Sequence, residues 1–240
     1  KQGTRQMKKR IIAIGGGEIR ERTTLEIDKK IAEFAKEHAG EQRANALFIP
    51  TASHDFMPYY NSFHKVYTGL FDIKTDVALT VFRDPNLEHL KEKFRKADVI
   101  YVGGGDTVFM IEHWKKTGML SMIEEAYQKG VLLAGLSAGA ICWFSDIYTD
   151  SLKTEDGAQY AMFQGLNWIK GIISPHYGQR MLDFDKIVCY NYSCAYGIED
   201  NGALYIEDDE IVGSISSGGK AYRIVNTDGI LEKREIEKAF

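Results

Sequence analysis

The chain has 240 residues, of which 44% are hydrophobic and 27% are charged, and these shares are typical of an ordinary globular protein. Its formal net charge of −4 and the lack of any basic block give no reason to expect nucleic-acid binding. No apolar run has the length that spans a bilayer, and no signal-peptide pattern is present. We therefore expect a cytoplasmic protein with no nucleic-acid or membrane partner.

The cysteines and the chain ends add little that is specific. Cys142, Cys189 and Cys194 have no metal-binding spacing and cannot all pair with one another, which favours reduced thiols over a disulfide framework. The polar residues 1–6 are expected to be a frayed end or a segment added before a native start at Met7. Because no linker, low-complexity tract or repeat interrupts the chain, we expect one domain over residues 1–240.

Apolar runs alternate with amphipathic segments through the first half of the chain. The apolar runs predict strands at 11–14, 46–49, 72–79, 99–102 and 131–134. The segments between them predict helices at 23–38, 57–70, 85–96, 107–116 and 119–129. Asp84 followed by Pro85 is typical of a helix start. This alternating order predicts an α/β fold with a doubly wound, mostly parallel sheet.

The pattern loosens in the second half of the chain. A polar loop is predicted at 148–159, a short strand at 171–173 and a helix at about 179–190. Short alternating runs follow at 203–206, 210–212 and 221–225. We expect these runs to form antiparallel strands that complete the edge of the same sheet.

The most informative stretch joins the predicted strand 131–134 to a following helix. Gly135-Leu136-Ser137-Ala138-Gly139 has the form G-x-S-x-G, and this strand–turn–helix setting is the one that a nucleophile elbow requires. The small neighbours leave room for Ser137, and the amides at the start of the helix, Ala138 first, can hold an oxyanion. The alternative interpretation is a glycine-rich turn whose serine only caps a helix.

Other strands also end in glycine-rich or polar stretches. Ligands of an open α/β sheet bind at the carboxyl ends of its strands, so these stretches should converge on one crevice. They are 15–17, 50–53, 103–106 and 135–137, with His176 near the end of a fifth strand. Gly15-Gly16-Gly17 lacks the G-x-G-x-x-G pattern, and we expect no dinucleotide there. Gly103-Gly104-Gly105 is either a flexible turn or the source of a second oxyanion amide.

A base and an orienting acid are needed beside the serine. His176 follows Pro175 at a strand end and lies downstream of Ser137, so it is the favoured general base. The alternative is a histidine with a structural role only. The carboxylates that could hold the imidazole tautomer are Glu199 and Asp200 at another strand end, and Asp146, Asp150, Glu155 and Asp156 in the loop after the elbow.

Taken together, five motifs resemble peptidase family S51, which includes peptidase E (aspartyl dipeptidase) and cyanophycinase. They span the first strand to about residue 206, and they are Ile49-Pro50-Thr51-Ala52-Ser53, Gly103-Gly104-Gly105-Asp106-Thr107, Gly135-Leu136-Ser137-Ala138-Gly139-Ala140, Ser174-Pro175-His176 and Gly197-Ile198-Glu199-Asp200. The resemblance implies a fold similar to the class I glutamine amidotransferases, which is flavodoxin-like, with serine in place of their elbow cysteine.

The resemblance also implies roles for individual residues. Ser137 would be the nucleophile and His176 the base, with the amides of Gly105 and Ala138 as the oxyanion hole. The family's G-[IL]-x-[ED] stretch points to Asp200 as the orienting acid. A placement in the loop after the elbow, as in cyanophycinase-like members, points to Glu155 instead.

Substrate recognition departs from the family pattern. Peptidase E members carry a longer, arginine-rich segment after the histidine, whereas here 177–180 holds the single arginine Arg180. Arg180 can still bind a carboxylate through two hydrogen bonds, and it is expected to contact substrate together with Asp106. The departure weakens the expectation of specificity for aspartate.

The function implied is that of a cytoplasmic serine exopeptidase that cleaves small peptides, dipeptides above all, with N-terminal Asp-X as a candidate substrate. No metal or organic cofactor is implied. The expected partner is a small peptide, and a homodimer is left open. Two alternatives stay open: another acyl-transfer hydrolase, such as an isopeptidase, amidase or esterase, and a non-catalytic protein that binds small molecules on the same scaffold.

Overall fold

The computed structural model describes residues 7–151 and 160–240. Its strands are β1 Arg10–Ile14, β2 Asn45–Ile49, β3 Lys74–Val77, β4 Val99–Val102, β5 Leu132–Leu136, β6 Phe144–Thr149, β7 Ala161–Gln164, β8 Ile169–Ser174, β9 Cys194–Ile198, β10 Gly202–Glu207, β11 Glu210–Ser216, β12 Ala221–Thr227 and β13 Ile230–Glu235. Its α-helices are α1 Leu25–Ala39, α2 Met57–Phe71, α3 Leu87–Lys96, α4 Thr107–Thr117, α5 Met119–Gln128, α6 Ala138–Ile141 and α7 Tyr177–Asn191.

The first sheet has the strand order β11-β10-β1-β5-β4-β2-β3. Its five strands from β1 to β3 run parallel to one another, whereas β10 and β11 are antiparallel to their neighbours. Ile14 at the end of β1 lies in register with Leu136 at the end of β5. The turns that follow these two strands are therefore neighbours at one edge of the sheet.

Both faces of β1, β2, β4 and β5 are buried, which is why these parallel strands read as apolar runs in the sequence, whereas the edge strand β3 is polar and partly exposed. Ile12 and Tyr101 belong to a core cluster with helices α1 and α2. Ile11 and Ile100, one position along each strand, belong to a second cluster with α3, α4 and α5. The alternation of side chains along a strand thus places helices on both faces of the first sheet.

The second sheet has the order β13-β12-β9-β8-β6-β7. Strands β6, β8 and β9 are parallel, and β7, β12 and β13 pair antiparallel at the two edges. Helix α7 packs against this sheet through Phe184 and Val188. Ser174 at the end of β8 is in register with Gly197 in β9, so the residues after both strands meet at one edge.

The mixed α/β class is confirmed, but the prediction of one doubly wound, mostly parallel sheet is not, because the strands divide into two mixed sheets. The predicted edge strands 203–206 and 210–212 correspond to β10 and β11 of the first sheet. The third predicted edge strand, 221–225, is β12 and pairs with β9 and β13 in the second sheet. A short alternating strand indicates a buried face but not the sheet that it joins, because non-local contacts decide its partner.

Local boundaries also differ from the predictions. Strand β6 includes residues 148 and 149, which were expected to begin a loop, and the rest of that loop, 152–159, lies outside the described residues, as do residues 1–6. Helix α3 is capped by Asn86 rather than by Asp84, since Asn86 Oδ1 accepts hydrogen bonds from the amides of Glu88 at 3.1 Å and His89 at 3.2 Å. Strands β6, β7 and β13 had no predicted counterpart.

Among the helices of the described chain, none combines the length and apolar character that crossing a membrane requires.

Candidate active site

Ser137 lies in a strained turn between β5 and α6. Its backbone has φ 54° and ψ −106°, a conformation that serine rarely adopts. The turn needs small neighbours, because a Cβ on Gly135 would overlap the backbone of Gly139, and one on Gly139 would overlap the carbonyl of Val102. The Ser137 amide donates to the carbonyl of Ile14 at 2.9 Å, which ties the turn to β1. This is the geometry of a nucleophile elbow.

His176 comes from the second sheet and reaches this serine. It follows β8 with φ 47°, and its amide donates to the carbonyl of Gly15 at 3.0 Å. Its Nε2 lies 3.0 Å from Ser137 Oγ, within hydrogen-bond distance. The imidazole is therefore placed to accept the serine proton.

Asp200, rather than its neighbour Glu199, faces the other ring nitrogen. Asp200 Oδ1 lies 2.5 Å from His176 Nδ1, and Asp200 Oδ2 accepts a hydrogen bond from Gln179 Nε2 at 3.3 Å. Glu199 Oε1 instead accepts from the amide of Lys220 at 2.8 Å. The structure thus brings Ser137, His176 and Asp200 into one hydrogen-bonded row.

The other carboxylates considered as the orienting acid are placed differently. Asp146 lies within β6, and Asp150 Oδ2 lies 3.7 Å from an Arg180 terminal nitrogen. Glu155 and Asp156 lie outside the residues that the structure describes.

The turn Gly15–Gly17 supports the pair of His176 and Asp200, a role that the sequence reasoning missed. A Cβ on Gly16 would overlap both Asp200 Oδ1 and His176 Nδ1, so only glycine fits there. The carbonyl of Gly16 also accepts from the amide of Asn201 at 3.0 Å. The available signal was three consecutive glycines at the end of a buried strand, which predicted a place at the crevice and no dinucleotide site but no contact with the base.

The two amides expected to form an oxyanion hole lie beside the serine. Ala138 is the first residue of α6 and directly follows the serine. Gly105 lies in the turn after β4, and this turn is close to the serine, because a Cβ on Gly104 would lie 3.4 Å from Ser137 Cβ. Within the described ranges, the amides of Gly105 and Ala138 have no hydrogen-bond acceptor. Gly105 has φ 141°, and a Cβ there would overlap the carbonyl of Ala52. Glycine is therefore required at this position.

Ser137 and His176 open into a cleft of about 490 Å³. Its polar lining includes Tyr59, whose hydroxyl accepts a hydrogen bond from the Gly104 amide at 3.1 Å. Its charged lining residues are Glu18, Arg20, Asp150 and Arg180. The volume lies in the range of small-molecule sites, about 300–1,000 Å³.

The two expected substrate-binding residues differ in placement. Arg180 lines the cleft and is only 7% exposed. Its Nη1 donates to the carbonyl of Tyr148 at 3.2 Å, and its guanidinium lies 4.5 Å from the centre of the Tyr160 ring. Asp106 instead caps α4, since its Oδ1 accepts from the Phe109 amide at 3.0 Å, so its carboxylate serves its own helix.

A larger groove, of about 1070 Å³, lies at the opposite end of the first sheet, where β2, β3 and β4 begin. It contains an ion pair in which His38 Nδ1 lies 2.7 Å from Asp98 Oδ1, but its lining includes no serine or cysteine. Across residues 7–151 and 160–240, no three His, Cys, Asp or Glu side chains are grouped so that they could hold a metal ion. The row of Ser137, His176 and Asp200 is therefore the stronger candidate for chemistry.

Comparisons with known proteins identify the family of the chain. A sequence model of peptidase family S51 matches residues 11–213. The chain is 33% identical over 224 residues to "Uncharacterized peptidase YgaJ" of Bacillus subtilis (strain 168), with 90% of this chain and 92% of that protein covered. It is 25% identical over 181 residues to "Peptidase E" of Shewanella baltica (strain OS185), covering 69% and 71% of the two chains.

A solved structure supports the fold. The crystal structure of a peptidase from an acI-B1 Actinobacterium superimposes with a TM-score of 0.72, covering 98% of this chain and 96% of that one. The two sequences are 19% identical, so this likeness concerns the fold alone.

Proposed function

Because the chain belongs to peptidase family S51, we propose that it is a serine exopeptidase that hydrolyses small peptides through an acyl-enzyme on Ser137. The observation that carries the proposal is the row of two contacts, 3.0 Å from Ser137 Oγ to His176 Nε2 and 2.5 Å from His176 Nδ1 to Asp200 Oδ1. A nucleophile within reach of a base, itself oriented by a third group, is the arrangement that covalent acyl transfer needs.

In the proposed acylation step, Ser137 Oγ attacks the scissile carbonyl carbon while His176 Nε2 takes the hydroxyl proton. The carbonyl oxygen becomes an oxyanion that accepts hydrogen bonds from the amides of Gly105 and Ala138. The C–N bond then breaks, and His176 hands its proton to the leaving amine. One such amide typically contributes about 3 kcal/mol to transition-state stabilisation.

Deacylation repeats the same steps with water. His176 removes a proton from the water as its oxygen attacks the ester carbon, and the proton then returns to Ser137 Oγ as the acyl–oxygen bond breaks. Throughout, Asp200 accepts the Nδ1 hydrogen bond, which holds the tautomer with a free Nε2 and stabilises the imidazolium formed at each transfer.

The cleft supports a substrate of dipeptide size. We propose N-terminal Asp-X dipeptides as the first substrates to test, since Arg180 is a buried cation in the cleft that could bind the aspartate side chain. Asp150, 3.7 Å from Arg180, already offsets part of that charge. We therefore expect the preference for acidic side chains to be modest.

The test is hydrolysis of a dipeptide panel, with and without N-terminal Asp, by the wild type and by Ser137→Ala. We expect turnover by the wild type, no measurable turnover by the variant, and stoichiometric labelling of Ser137 by a serine-reactive phosphonate. If the protein hydrolyses isopeptides, amides or esters but no peptides, it is another acyl-transfer hydrolase and not an exopeptidase. Absence of both turnover and labelling would favour a binding protein.

A further inference from the structure

The cleft beside Ser137 has an uneven distribution of charge. Arg180 lies against Asp150 at 3.7 Å, and Arg20 Nε lies 3.9 Å from a carboxylate oxygen of Glu21. The remaining charged lining residue is Glu18. Among residues 7–151 and 160–240, no cationic group lies within 4.0 Å of the Glu18 carboxylate. The cleft thus offers one carboxylate without a neighbouring positive charge.

The backbone that carries Glu18 is fixed close to the catalytic row. Thr23 brackets the residue, because its Oγ1 accepts from the Glu18 amide at 2.8 Å and its own amide donates to the Glu18 carbonyl at 3.2 Å. Gly16, two residues earlier, packs directly against the His176 ring. Two residues of chain span at most about 7 Å. The Glu18 backbone therefore lies within about 7 Å of the turn that contacts His176.

A second titratable group, Tyr59, lines the cleft together with Glu18. Burial is the main cause that raises the pKa of Tyr59, to about 12, and the Glu18 carboxylate acts in the same direction. Tyr59 and Glu18 both line the cleft, and the Tyr59 hydroxyl also contacts the Gly104 amide above Ser137.

We propose that the Glu18 carboxylate binds the α-ammonium group of the substrate's first residue and so directs cleavage to the bond next to a free amino terminus. This inference rests on the proposed peptidase function and names the end of the peptide that the site reads. In a dipeptide the α-ammonium group and the scissile carbonyl belong to the same residue, so a dipeptidase must hold a positive charge directly beside the point of attack. Glu18 supplies the matching charge, whereas that of Asp150 is offset by Arg180.

The experiment compares free and N-acetylated forms of the same dipeptide for the wild type, Glu18→Gln and Glu21→Gln. Glu21 is the matched control, since it is an exposed carboxylate three residues away that does not line the cleft. We expect Glu18→Gln to lower kcat/KM for the free dipeptide by about 10- to 100-fold, the effect of losing one charge-assisted hydrogen bond. Activity on the acetylated form should not change, and Glu21→Gln should resemble the wild type.

Two results would overturn the assignment. One is a Glu18→Gln variant that discriminates against the acetylated dipeptide as strongly as the wild type does. The other is loss of that discrimination in Asp150→Asn instead, which would make Asp150 the anchor.

Binding to the inactive Ser137→Ala variant, measured by calorimetry, keeps this question separate from the peptidase proposal. Tighter binding of the free dipeptide, lost on adding Glu18→Gln, supports the anchor even if no substrate is turned over. Equal affinity for the free and acetylated forms contradicts the anchor, even if the wild type hydrolyses peptides.

Discussion

Two regions meet at the candidate active site, and they are built in different ways. The elbow region, residues 135–139, is one continuous stretch that ends β5 of the first sheet and begins α6, and its glycines permit a strained serine. The histidine–carboxylate region joins His176 and Asp200, which follow two strands of the second sheet, to the turn Gly15–Gly17 of the first. The nucleophile therefore depends on local backbone geometry, whereas the base depends on how two sheets are joined.

The largest expected effect separates the two adjacent acids of the histidine–carboxylate region. Asp200→Asn places an amide where the His176 Nδ1 hydrogen needs an acceptor, so the wrong imidazole tautomer is favoured and kcat should fall by about 10,000-fold. Glu199→Gln is the matched control, because Glu199 contacts the Lys220 amide rather than His176. Steady-state kinetics with the best dipeptide measures both, and equal losses in the two variants would contradict the assignment of Asp200.

A substitution in the turn after β1 should displace the base His176 without contacting Ser137. Gly16→Ala inserts a methyl group against His176 and Asp200, and we expect kcat to fall by about 100-fold, the cost of displacing catalytic groups by about 1 Å. Gly69→Ala is the control, since a Cβ there meets no atom within 4 Å. Phosphonate labelling of Ser137 together with thermal unfolding separates a displaced base from a misfolded chain. Unchanged labelling in Gly16→Ala would show that the turn does not hold the pair.

The smallest effect concerns the free energy of unfolding and arises in the core between α1 and the first sheet. Asp28 on α1 is buried, and its oxygens accept hydrogen bonds from Tyr67 at 2.7 Å and Thr24 at 2.8 Å. Burial outweighs these bonds and raises the pKa of Asp28 from its ordinary 3.8 to about 6. Between these values the folded state binds more protons, so the free energy of unfolding should fall by about 2 kcal/mol as pH rises from about 4 to about 6.

Asp28→Asn should remove that slope, whereas Asp84→Asn, at an exposed position, should keep it. Urea unfolding at several pH values measures the slope, and phosphonate labelling of Ser137 follows the active site separately. A slope that persists in Asp28→Asn would assign the pH dependence to another group. A change in labelling over the same pH range would show that the active site and the core around Asp28 do not respond separately.

Much of the first sheet could be predicted from sequence, because four of its five parallel strands, β1, β2, β4 and β5, are buried on both faces and read as apolar runs. The second sheet could not be assembled in the same way. Its strands are interrupted by polar residues, and β12 carries no local signal that it pairs with β9 rather than with the edge of the first sheet. The alternation predicts a strand, but the partner depends on contacts far apart in the chain.

The sequence by itself determined the elbow, because the conformation of Ser137 requires small residues at Gly135 and Gly139, and those requirements are met within five consecutive positions. The residues alone left Glu199 and Asp200 open, and the family resemblance pointed to Asp200. Only the tertiary structure shows which of the two lies beside His176. Neighbouring residues at a strand end point in different directions, and which of them meets His176 depends on the pairing of β8 with β9. A local constraint leaves its mark in adjacent residues, whereas a contact between strands does not.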